Sequence, residues 1–87
     1  MSDAWTWEYG PDAEHVVGGL PADVVTEVSR LAEQLVVLGT DAGQVGRRKL
    51  HGGGLRTLDI FGGRGFFHFL ALERMRLIVI TRVTWSD

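Results

Sequence analysis

Residues 49–85 read KLHGGGLRTLDIFGGRGFFHFLALERMRLIVITRVTW, and the reading of this stretch decides the fold. It contains three short strand-like runs. In the first, Leu55–Phe61, Leu58 and Ile60 alternate with Thr57 and Asp59, the two-residue period of a strand with one covered face. Gly62-Gly63-Arg64-Gly65 then predicts a turn, because glycine tolerates the positive φ of tight hairpins. The second run, Phe66–Leu72, is apolar on both faces, as a central strand should be. Glu73-Arg74-Met75 breaks the pattern, and Arg76–Trp85 returns as a third run rich in β-branched residues. Connections this short force successive strands to pair antiparallel, so a three-stranded meander is expected.

Working back from the meander, Gly52-Gly53-Gly54 gives a pliable lead-in. It lacks the lysine-serine or lysine-threonine ending of a phosphate-binding loop, and a strand follows it in place of a helix. Thr40–Arg48 reads as a polar connector with room for a helical turn. Pro21–Leu38 predicts a helix: proline suits its start, Asp23 complements the positive end of the helix dipole, and Gly39 suits its stop. Val24, Val25, Val28, Leu31, Ala32, Leu35 and Leu38 recur at three- and four-residue spacing and form one apolar stripe that needs a sheet face to cover. Upstream, Asp12 can cap a short helix through Val17, with His15 an exposed residue on it. Ala4–Tyr9, with Trp5 and Trp7 on one side, reads as the first strand and ends at Gly10-Pro11. The expected fold is α+β, in one domain spanning residues 1–87. It has an N-terminal strand, a short and then a long helix, and a three-stranded antiparallel meander with the helices on one face.

Composition narrows the chemistry. The 87 residues suffice for one hydrophobic core. The absence of cysteine excludes disulfides, thiol catalysis and cysteine zinc sites. No run reaches the roughly 18 apolar residues of a membrane span, and no secretory leader is evident, which favours a cytoplasmic setting. Net charge is −2, but it is unevenly placed. Residues 1–46 carry eight acidic groups and one basic group, Arg30, whereas residues 47–82 carry eight basic groups and two acidic ones, Asp59 and Glu73. One basic surface on an acidic body fits a phosphate-bearing partner; the plainer reading is that these arginines solvate sheet edges.

The element order, with Lys49-Leu50-His51-Gly52 ahead of the meander, resembles the RelE/ParE toxin superfamily. Its members show a Lys-Leu-x-Gly lead-in, then a strand, then an arginine opening the next strand. Arg64 before Phe66-Phe67-His68-Phe69 matches that arginine, and Leu77–Thr81 matches the last strand. The resemblance implies the toxin of a type II toxin–antitoxin system, partnered by a cognate antitoxin and needing no cofactor. RelE-like members are ribosome-dependent endoribonucleases that cut messenger RNA; ParE-like members share the fold and act on DNA gyrase. Cleavage by the adjacent 2′-hydroxyl needs a proton acceptor, cations on the phosphate and an acid for the leaving oxygen, with no metal.

On that reading Arg64 is the candidate phosphate fork, since a guanidinium binds two oxygens at once; its plainer role is to solvate a turn. Arg82, counted in register with Ile78 and Ile80, is expected on their apolar face, either snorkelling to solvent or lining a cleft. His68 and His51 are the candidate proton-transfer groups. His68 shares a face with Phe66, Leu70 and Leu72, where a histidine is more often simply packed. Arg47, Arg48, Lys49 and Arg56 are candidate RNA-binding residues. Trp85 falls where the superfamily places a terminal catalytic side chain. It cannot transfer a proton, but it can stack on a base.

Overall fold

The computed structural model describes residues 4–48 and 54–86. Within them β1 (Thr6–Tyr9) leads into two helices, α1 (Ala13–Val17) and α2 (Ala22–Leu38), and a 3₁₀ segment at Gly39–Gln44. Then come β2 (Arg47–Arg48), β3 (Arg56–Ile60), β4 (Gly65–Leu72) and β5 (Leu77–Trp85). The expected meander is present as β3, β4 and β5, all antiparallel. The sheet around it is larger than the sequence pattern announces. Its order is β1-β5-β4-β3-β2, with β1 parallel to β5 and the two-residue β2 antiparallel to β3. The chain thus crosses from one sheet edge to the other through its helices, and the meander returns to place β5 beside β1.

Local chemistry sets the boundaries. Asp12 caps α1, its carboxylate accepting from the backbone N–H of His15 at 2.8 Å. Pro21 precedes α2, and Gly39, at φ 57°, ends it while its N–H returns to the carbonyls of Leu35 and Val36. The predicted hairpin turn lies one residue earlier than expected, and Gly65 already belongs to β4. Phe61 belongs to the turn and not to the strand, at φ 48°, and Gly62 and Gly63 follow at φ 66° and 95°.

The helices cover one face of the sheet. From α2, Val24, Val28, Ala32 and Leu35 are buried against Phe67 and Phe69 of β4 and Ile78, Ile80 and Val83 of β5. Phe67 and Phe69 are 0% exposed, and each such buried ring is worth about 2–3 kcal/mol of hydrophobic free energy. Leu38, expected in the stripe, is exposed; the buried line continues from Leu35 to Gly39 and Ala42 instead. Trp7, on β1, packs against this core while its indole N–H donates to Glu33 at 2.9 Å. Among the described residues no helix is long and apolar enough to cross a membrane.

Candidate functional site

A β-bulge decides what the other face of the sheet carries. Opposite the His68-Phe69 step of β4, strand β5 spends two residues in place of one: Ile80 pairs with Phe69, but the partner of His68 is Arg82. Thr81 is the extra residue, and its hydroxyl donates to the His68 carbonyl at 3.5 Å. An extra residue reverses the two-residue alternation beyond it. Ile78 and Ile80 face the helices, and Arg82 faces away from them. The expectation that Arg82 shares the face of Ile78 and Ile80 is therefore corrected: it is exposed on the open face, beside His68.

The pairing register lays four polar side chains across four strands in one row. Arg47 of β2 pairs with Thr57 of β3, Thr57 with His68 of β4, and His68 with Arg82 of β5. At about 4.8 Å per strand the row spans roughly 14 Å between its terminal arginines. At its centre Thr57, only 8% exposed, is hydrogen-bonded to His68, with its Oγ1 2.8 Å from Nδ1. If the threonine hydroxyl donates, the outer ring nitrogen, Nε2, carries the proton and can act as an acid. If Nδ1 donates, Nε2 presents a lone pair and can act as a base. Either way the bond fixes the ring plane, and Phe66, its neighbour on the strand, lies 5.4 Å away between ring centroids.

Arg47 is held at one end of the row by an ion pair with Asp59, 2.8 Å from Nη1 to Oδ2. The Arg47 hydrogen bond holds the Asp59 carboxyl below its ordinary range, so this acid stays charged and offsets part of the row's positive potential. Arg82, at the other end, makes no ion pair among the described residues. Shallow depressions lined by Ala71–Met75 and by Gln34, Val37 and Leu38 lie away from the row. Among the described residues no three His, Asp or Glu side chains gather as a metal-ligand set.

The other candidates are scattered. Arg64 is exposed at the end of the β3–β4 turn, roughly 13 Å along β4 from His68 at about 3.3 Å per residue. Its guanidinium carbon lies 5.3 Å from the centroid of the Trp85 ring. Trp85 pairs with Gly65 and therefore stands on the helix side of the sheet. Arg56 also belongs to that side, and its guanidinium donates to the carbonyls of Val45 and Gly46 at 2.6 and 2.9 Å. That assignment gives Arg56 the task of anchoring the connector to β3. The Arg48 backbone pairs with Arg56, while Lys49 and His51 lie outside the described residues. Thr57, the partner that orients His68, had one legible signal, its alternation with the apolar Leu58 and Ile60; its pairing with a histidine eleven residues on had none.

No family model and no curated protein matches the sequence. Among solved structures, one of the Escherichia coli toxin RelE matches with a TM-score of 0.65 at 14% identity, covering 97% of this chain and 85% of that one. That structure is a double arginine-to-alanine mutant in complex with an antitoxin peptide, RelBc. The chain described here has the RelE-like fold.

Proposed function

We propose that this RelE-like chain is the toxin of a toxin–antitoxin pair and that it cleaves messenger RNA on the ribosome, using the open face of its sheet. The row Arg47–Thr57–His68–Arg82 carries the reading, because it sets a histidine of fixed orientation directly beside an exposed arginine that makes no ion pair among the described residues. In cleavage by the adjacent 2′-hydroxyl, His68 Nε2 exchanges the proton, and the Arg82 guanidinium stabilises the charge that builds on the phosphate oxygens. Arg64 holds a flanking phosphate as a two-point fork. A cognate antitoxin covers this face and silences it, a role that fits the antitoxin peptide bound to the RelE neighbour.

A second reading has one observation in its favour. Trp85, at the end of β5, is packed against Phe61 and Arg64 and brings no titratable group to that position. A toxin of ParE type, acting on a protein such as DNA gyrase, needs none there. Controlled expression in a bacterial host separates the two, with growth followed alongside primer extension on abundant messages. Growth arrest with new, translation-dependent cuts that vanish in Arg64→Ala and Arg82→Ala at equal soluble level is the expected result. Arrest without cuts supports the protein-target reading, and unimpaired growth overturns both.

A further inference from the structure

Where the β3–β4 turn meets the last residues of β5, three side chains stack. The Phe61 and Trp85 rings stand edge to face, 5.4 Å between centroids at 71°, and Arg64 lies over the Trp85 ring. The stack is built in place. Gly65 leaves room for the indole, since a Cβ there would come within 3.1 Å of it, and the Ser86 N–H donates to the Arg64 carbonyl at 3.2 Å, tying strand to turn.

Phe61 is the informative member. Its φ of 48° is left-handed, a conformation disfavoured for any bulky L-residue and natural for glycine, which fills the next two positions. Burial does not explain the choice, because Phe61 remains 39% exposed and a Cβ on Gly62 or Gly63 beside it would meet nothing within 4 Å. Backbone strain that holds an aromatic ring out in the open signals a use for that ring. Arg64, in addition, makes no ion pair among the described residues, so its charge is available to a ligand.

We propose that Phe61, Trp85 and Arg64 form a platform for one unpaired nucleobase, the base stacking on the exposed Phe61 ring, the Trp85 ring supporting that ring edge to face and the guanidinium meeting the phosphate. This inference rests on the RNA reading above and assigns that reading a subsite beyond the histidine row. An exposed ring, a second ring and a cation with no ion pair among the described residues favour a nucleotide over an apolar peptide segment, which would give the arginine no anion. A platform of this kind reads no base edge, so it accepts any base.

The test is binding of short single-stranded RNA carrying 2-aminopurine at successive positions, read by quenching at fixed salt, to the parent chain, Phe61→Gly and Phe61→Leu. The platform predicts quenching at one position and a loss of affinity of about 5- to 150-fold in both variants, the scale of one base–aromatic stack. It also predicts that Phe61→Gly melts no lower than the parent, since glycine relieves the backbone. Parent-like affinity in both variants overturns the proposal, as does RNA that the parent neither binds nor quenches. A Phe61→Gly chain that melts well below the parent assigns the ring to packing and overturns it too. Message cleavage in the same strains keeps two failures apart: cuts unchanged by either Phe61 variant remove the platform alone, and an absence of cuts by the parent removes the nuclease reading itself.

Discussion

The two faces of this sheet are made by the same strands and do opposite work. On the helix side Phe67, Phe69, Ile78 and Ile80 are wholly buried and contribute cohesion. On the open side, one residue along each strand, stand Thr57, His68 and Arg82, with Arg47 beyond them. The difference teaches that a single extra residue can reassign a side chain from one task to the other. Thr81 turns Arg82 out of a face where a guanidinium would lie against Ile80 and the α2 helix, and delivers it to a histidine.

The sharpest way to break this division is to insert one alanine between Arg82 and Val83. Arg82 then keeps its place opposite His68, while Val83 and Trp85 turn outward and Thr84 turns in. The expected result is loss of cooperative unfolding by circular dichroism; a chain that folds with parent-like stability would refute strand alternation beyond the bulge as the divider. Phe67→Ala comes next, costing about 3–5 kcal/mol on chemical denaturation through the cavity it opens. His68→Ala should invert that pattern. It is expected to lower the cleavage rate about 10²- to 10⁴-fold while costing stability only about 1 kcal/mol. If the two substitutions affected stability alike, the faces would not be separate in function.

Thr57→Val is a gentler probe. It keeps the shape and removes the hydrogen bond to His68 Nδ1, costing about 0.5–1.5 kcal/mol, and it should alter the pH profile of cleavage because the ring loses its orienting partner. An unchanged profile would detach Thr57 from the site. The smallest effect lies in the helix layer. The backbone N–H of His15, and then its ring, hold the Asp12 carboxyl below its ordinary value of 3.8. Because the folded value is the lower one, the stabilisation is complete above the ordinary pKa and is lost as pH falls through the lowered one. NMR titration should find Asp12 titrating below 3.8, with α1 fraying at its first turn on the acid side. A normal Asp12 titration would show that the cap does not persist in solution.

Much of the fold was legible because it is written in short-range patterns. The valine and leucine spacing of α2, the cap at Asp12, the stop at Gly39 and the meander each depend on residues within one or two turns or one hairpin. The likeness to RelE/ParE toxins followed from their order along the chain. Leu38 and Phe61 mark where that reading overran: α2 ends at Leu38 as expected but leaves that side chain exposed, and Phe61 belongs to the turn and not to β3.

Sequence by itself determined the helix stripe, the strands, the basic character of residues 47–82 and the histidine on an apolar run. Tertiary structure alone decided the parallel place of β1 beside β5, the short β2, the bulge at Thr81 and therefore the row that joins Arg47, Thr57, His68 and Arg82. The physical reason is range. Periodicity tells which residues of one strand share a face, but which residues meet across strands depends on register. Register is settled by pairing and packing between segments far apart in the chain, where one inserted residue reverses every face beyond it.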